Sequence, residues 1–187
     1  MNIKKLKMSR KTGLIDMFKD LGFKVGVEIG TDRGFYAKDI CIRFPEVKLY
    51  TIDPFLPYTE GDSVKTQEDM EKIYEEAKYR LSFHKNCTII RNTSMEAVKA
   101  FSPNSIDFVF IDGNHDFKHA YEDIREWTKI VKPGGIVSGH DYTEDSKRDY
   151  GVIEAVNKYV EENNIDPLYV LKRGGFRNSW YFRKAWL

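Results

Sequence analysis

Residues 24–34 read KVGVEIGTDRG. A β-branched run ends in the carboxylate of Glu28, and the loop that follows has glycine at Gly30 and again at Gly34. Glycine at both places permits a tight turn and lets a ligand approach the backbone closely. A helix entered directly from such a loop presents unpaired N–H groups at its start. A dinucleotide fingerprint would read G-x-G-x-x-G; this loop instead holds Asp32 and Arg33, and Glu28 beside it would repel a pyrophosphate. An acid in that position suits a ligand with a positive charge, such as an ammonium. The alternative is a structural glycine turn with Glu28 as its cap.

Outward from this loop the chain alternates. Leu14, Ile15, Phe18 and Leu21 predict a helix over 9–21, stopped by Gly22. Helical patterns at 35–44, 66–84, 95–101, 121–131 and 152–163 are interleaved with strand-like runs at 24–29, 47–52, 87–90, 106–111 and from 136. IDFVFI at 106–111 is the most apolar run and therefore a central strand. Lys132-Pro133-Gly134-Gly135 reads as a helix stop. Alternating β and α units predict a Rossmann-like, doubly wound α/β fold with a mostly parallel sheet. Two last strands, near 168–172 and 179–184 and joined by Arg173-Gly174-Gly175-Phe176, read as a hairpin that leaves one antiparallel strand on the sheet. The expected organisation is a single domain: tail and helix at 1–22, ligand-binding core at 24–142, C-terminal helix and hairpin at 143–187.

Composition narrows the function classes. The 187 residues include 30 Lys plus Arg against 29 Asp plus Glu, and a net charge of +1 gives no general reason to expect a nucleic-acid partner. No apolar run is long enough to span a membrane. The basic N-terminus MNIKKLKMSRK lacks an apolar stretch behind it and reads as a solvated tail. Two cysteines, Cys41 and Cys87, form neither a disulfide framework nor a four-thiolate zinc site; as buried free thiols they fit a reducing, cytoplasmic setting.

In doubly wound sheets, ligands bind outside the carboxyl ends of the strands. Those ends carry Glu28, Asp53, Asn92-Thr93-Ser94, Asp112-Gly113-Asn114-His115 and His140-Asp141. Four of the five bear carboxylates, which random surface placement would not produce. Asp53 stands 23 residues after Gly30, where an acid accepts hydrogen bonds from ribose hydroxyls. With the first loop it points to a nucleoside ligand; taken alone it is an Asp-Pro turn.

VGVEIGTDRG, TIDPF, FVFIDGNHDFKHAYEDI and VKPGGIVSGHDY, in that order, resemble the class I S-adenosylmethionine-dependent methyltransferases. The nearest subgroup is the small-molecule and sugar O-methyltransferases with IDG-x-H and GG-x-x-x-x-HDY segments. The resemblance spans residues 24–142 and implies S-adenosyl-L-methionine as methyl donor. It implies that Glu28 holds the methionine ammonium, that Gly30, Thr31 and Gly34 line the cofactor, and that Asp53 binds the ribose diol. Ser94 and Met95 match the adenine-contacting segment, and Asp112 the acid near the methyl-donor end. In related metal-dependent enzymes these strand ends hold a divalent cation, Mg²⁺ or Mn²⁺; Asp112, His140 and Asp141 occupy those places here. His140 departs from the usual oxygen ligand, and imidazole suits Mn²⁺ better than Mg²⁺.

An alcohol acceptor must lose a proton, and His115 is the candidate base, with Asp112 beside it and His140 as the alternative. His119 reads as a solvated helix residue. The expected reaction is O-methylation of a hydroxyl on a sugar or other small molecule. Two alternatives stay open: a non-catalytic cofactor-binding module, and N-methylation, although the Asn/Asp-Pro-Pro-aromatic signature of nucleic-acid amino-methyltransferases is missing. Loops 54–64 (Phe55, Leu56, Tyr58) and 142–151 (Tyr142, Tyr150) are the expected lid. Phe176, Trp180, Tyr181, Phe182 and Trp186 read as mostly sheet core, with Trp186 a candidate homodimer contact.

Overall fold

The computed structural model describes residues 1–60, 63–143, 151–172 and 177–185. Its strands are β1 (Ile3–Leu6), β2 (Val25–Ile29), β3 (Lys48–Ile52), β4 (Tyr58–Glu60), β5 (Ser63–Lys65), β6 (Cys87–Ile90), β7 (Ile106–Ile111), β8 (Val131–Gly139), β9 (Leu168–Leu171) and β10 (Ser179–Arg183). The helices are α1 (Ile15–Asp20), α2 (Phe35–Arg43), α3 (Gln67–Leu81), α4 (Ser94–Ala97), α5 (Phe117–Ile130) and α6 (Val152–Glu162). Eight strands form one sheet in the order β1-β9-β10-β8-β7-β2-β3-β6, and β4 pairs with β5 apart from it. Every pairing in the large sheet is parallel except those of β10 with β8 and β9. The fold is therefore the expected α/β one with a single reversed strand.

All six residues of β7 are buried, because helices cover both faces of the sheet. Strand alternation divides them. Val27, Ile29, Val109, Ile111 and Val137 pack on Ile124 and Trp127 of α5 and on Ala155, Val156 and Tyr159 of α6. Phe108, Phe110, Ile136 and Leu49 pack on Phe18 of α1 and on Ile40 and Cys41 of α2. Glu28 shares the parity of Gly26, over which the Phe108 ring lies, so its side chain belongs to the α2 side.

Three elements depart from the sequence expectations. The N-terminus is not wholly a solvated tail: β1 pairs in parallel with β9 at the sheet edge. Its IKKL sequence carries no apolar alternation, and exposed lysines are what a strand with one free edge requires. Loop 54–64 contains most of the β4–β5 hairpin. Lys132–Gly135 lie inside β8 rather than before it, where Ile106 pairs with Val131 but Phe108 with Ile136, so the glycine-rich segment is looped out as a bulge. Among the described residues no helix is long and apolar enough to cross a membrane.

The topology fixes where a ligand can sit. From β2 the chain moves outward to β3 and β6, then returns to β7 on the other side of β2 and continues to β8. The reversal lies between β2 and β7, and doubly wound sheets bind their ligands in the crevice outside those carboxyl ends. The Asp112 N–H donates to the Ile29 carbonyl (2.8 Å), so the two loops leave the sheet side by side. Gly30 has φ +92°, and a Cβ there would lie 2.0 Å from the Asp112 carbonyl oxygen. Gly30→Ala is thus expected to destabilise the protein by about 2–6 kcal/mol, the sum of backbone strain and overpacking. A urea midpoint unchanged from wild type would show that the two loops can part.

Candidate active site

On the β2 side of the crevice Glu28 is buried, 2% exposed. Its register partner on β3 is Thr51, whose hydroxyl donates to the Glu28 carboxylate. Thr31 lies 2.6 Å from the Thr51 hydroxyl. Burial raises the Glu28 carboxyl well above its ordinary range, and the Thr51 hydrogen bond only partly opposes this. The arrangement holds an acid out of water, and the charge of Arg10 offsets only part of that burial.

Asp53, just past β3, accepts the Asp32 N–H (3.0 Å) on one oxygen and the Phe55 N–H (2.8 Å) on the other. It fastens the glycine loop to the neighbouring strand end and retains further lone pairs. Burial raises its carboxyl too, despite those two N–H donors. Gly34 starts α2 with φ +74°. Arg33 turns away from the crevice, its Nη1 2.6 Å from Glu76 on α3.

After β6, Ser94 sits in the first turn of α4. Its hydroxyl donates to Asp123 of α5 and accepts from the Trp127 indole (2.8 Å), so it is tied into the helix packing. Burial pushes the Asp123 carboxyl up to about 6. Met95 beside it is half-buried.

On the β7 and β8 side, four predicted residues converge. His115 Nε2 is 3.1 Å from Asp141 Oδ2 and 3.7 Å from Asp112 Oδ1. His140 Nδ1 is 3.0 Å from the same Asp141 oxygen and 3.8 Å from Asp112 Oδ1. Asp141 is 2% exposed and adopts φ +55°, a left-handed turn that aims its carboxylate back at the histidines. Burial alone would raise both carboxyls; hydrogen bonds and charge from His115 and His140 outweigh it and hold both below the ordinary range. Among the described residues Asp112, His115 and Asp141 bring three ligand-type atoms within 4.8 Å of one another. The sequence pointed to His140 in this set, and its Nδ1 stands as near to the two carboxylates as His115 Nε2 does. His119 is exposed and faces Asp116 (2.6 Å), outside the cluster.

Sequence reasoning missed two arginines. Arg10 Nη1 lies 2.7 Å from Asp112 Oδ2, and Arg177 Nη1 lies 3.0 Å from Asp141 Oδ1. Neither sits in a periodic pattern or beside a strand-end motif. Thr51, by contrast, was findable from the β2–β3 register. Part of the expected lid also moves: Phe55 is fully buried against Met70, Ile73 and Ala77, so it is core. Leu56 and Tyr58 are exposed, and Tyr142 donates to Asn157 (2.7 Å). Trp180, Tyr181 and Phe182 are buried as expected. Tyr150, Phe176 and Trp186 lie outside the described residues.

The model of a methyltransferase domain matches residues 27–142, more than half of the chain and the segment that forms this crevice. The chain belongs to the methyltransferase-domain family. An uncharacterised protein of Acanthamoeba polyphaga mimivirus is 38% identical over 60 residues, which is 32% of this chain and 27% of that protein's length. Among solved structures, an O-methyltransferase from Bacillus cereus in complex with SAH superposes with a TM-score of 0.69 at 14% identity, covering 96% of this chain and 82% of that one. An O-methyltransferase family protein from Burkholderia thailandensis gives 0.65 at 14% identity, over 92% of this chain and 55% of its own. At such identities the likeness establishes the shared fold of the methyltransferase domain.

Proposed function

We propose that the protein transfers a methyl group from S-adenosyl-L-methionine to a hydroxyl of a small molecule, a sugar or a phenol. The observation that carries this reading is the convergence of Asp112, His115, His140 and Asp141 at the ends of β7 and β8, next to the end of β2 that carries buried Glu28. The residues present fit the methyl donor. Glu28 is a desolvated acid to which a cation is suited, and Asp53 has spare acceptors for a diol. When bound, that cofactor supplies an electrophilic methyl group.

The remaining work falls to the chain itself. Glu28 pairs with an ammonium, Asp53 orients a ribose, and the strand-end loops hold the acceptor oxygen in line and exclude water. His115 takes the hydroxyl proton. Its Nε2 lies 3.1 Å from Asp141 Oδ2, and that carboxylate stabilises the imidazolium that forms.

A second reading is favoured by the three donors within 4.8 Å. A divalent cation held by Asp112, His115 and Asp141 would lower the pKa of the acceptor hydroxyl, and one nitrogen with two oxygens suits Mn²⁺. His115 is then a ligand rather than the base. Dialysis against a chelator followed by Mn²⁺ addition separates the two: activity unchanged throughout supports the base, and activity lost and restored supports the ion.

The function itself is tested with purified protein, the methyl donor and a panel of sugars, phenols, amines and thiols, followed by mass spectrometry. Methyl ethers are expected. Products methylated only on nitrogen or sulfur would reject the proposal.

A further inference from the structure

We infer that Arg10 is the binding residue for the carboxylate of the cofactor's amino-acid end. The inference rests on the methyltransferase reading above and adds to it a recognition element from outside the matched domain.

Arg10 reaches the crevice by a definite route. β1 runs parallel to β9 and therefore emerges at the same edge as β2 and β7. Its last rung is the Lys172 N–H donated to the Leu6 carbonyl (2.8 Å). Residues 7–9 then cross toward the crevice, and the Ser9 hydroxyl accepts the Lys11 N–H (3.1 Å) to open a helical turn. The Tyr36 hydroxyl donates to the Arg10 carbonyl (3.1 Å), so α2 holds the backbone of the residue directly. The guanidinium carbon lies 5.0 Å from the Tyr36 ring centre and 5.6 Å from that of Phe110. Phe110 is the register partner of Glu28, and Asp112, two residues further on, shares its face. Arg10, Glu28 and Asp112 thus gather at one end of the crevice.

The amino-acid end of S-adenosylmethionine or its product is a zwitterion, with ammonium and carboxylate on one carbon. A site for it needs an acid and a cation side by side. Glu28 and Asp112 are two acids, and the glycine loop's own cation, Arg33, is bound to Glu76 on α3. Among the described residues, Arg10 is a cation at this end, 2.7 Å from Asp112. Its planar fork suits a carboxylate, and it already engages one on Asp112. As a merely structural ion pair between two groups about a quarter exposed, the contact would add little net stability, because the cost of desolvating both charges offsets their attraction. Moving the fork onto the ligand carboxylate also leaves Asp112 Oδ2 available to the acceptor side.

The test compares two ligands by isothermal titration calorimetry: S-adenosylhomocysteine, and S-adenosyl-3-thiopropylamine, which keeps the amine and lacks the carboxylate. Arg10→Met is expected to weaken S-adenosylhomocysteine about 10- to 100-fold and to leave the decarboxylated ligand within about 3-fold, as loss of one charge-assisted pair requires. Arg10→Lys, which keeps the charge and loses the fork, should fall between. Equal losses for both ligands would overturn the inference in favour of a structural role, and no loss for either would overturn it outright. Wild-type protein that binds the decarboxylated ligand as tightly as S-adenosylhomocysteine refutes the Arg10 role while leaving the cofactor reading intact. Wild-type protein that binds neither refutes both.

Discussion

Glu28→Gln is expected to reduce affinity for S-adenosylhomocysteine about 100-fold while leaving the ligand-free protein at least as stable as wild type. Both effects come from one buried carboxylate. Removing a charge from a desolvated, hydrogen-bonded pair costs about 2–5 kcal/mol of binding. Glutamine keeps the oxygen that accepts from Thr51 but cannot neutralise an ammonium. In the free protein, burial raises the Glu28 carboxyl well above its ordinary value. The folded state therefore binds that proton more tightly than the unfolded chain. The stability it contributes is complete below the ordinary carboxylate range and is lost as pH rises through the raised folded value. Holding Glu28 ionised is thus a burden that the ligand relieves, and glutamine removes it. Ligand affinity runs the opposite way. It should fall as pH drops through the raised value, at a higher pH than an exposed carboxylate would dictate, and the variant should lose this dependence. Calorimetry across pH and urea denaturation measure the two effects. Wild-type affinity in the variant would remove Glu28 from the site.

His115→Ala is expected to lower turnover by about 10²- to 10⁴-fold, the usual contribution of a positioned general base. S-adenosylhomocysteine affinity should stay within about 2-fold, because Glu28 and Asp53 are untouched. A variant that keeps wild-type turnover would move the base role to His140, whose Nδ1 faces the same Asp141 oxygen at 3.0 Å. Asp141 itself is poorly suited to the role, since the two histidines hold its carboxyl far below the ordinary range.

The sheet was legible because its strands are local statements. VGVEI and IDFVFI are short, mostly apolar runs that end at glycine or acid and alternate with helical patterns, so the layering and direction follow from the rules of doubly wound folds. The strand-end acids were legible for the same reason: each is adjacent in sequence to the strand that delivers it. Residues delivered from afar were not. Arg10 and Asp112 are 102 positions apart, and the strand that brings Arg10 in is IKKL, whose lysines erase any alternation. Arg177 is carried to Asp141 by the reversed strand β10, which it precedes, and no local pattern marks it. Phe55 was misplaced because an aromatic in a polar loop looks exposed; α3, with Met70, Ile73 and Ala77, provides a pocket for it that only the tertiary fold reveals.

The carbonyl of Asp112 fills the space that any side chain at Gly30 would need. Donor-side and acceptor-side loops are thus interlocked at the floor of the crevice, with no slack to trade between them. Descendants of this scaffold that adopt new acceptors would have to diversify away from this junction, while the base of the cleft stays frozen.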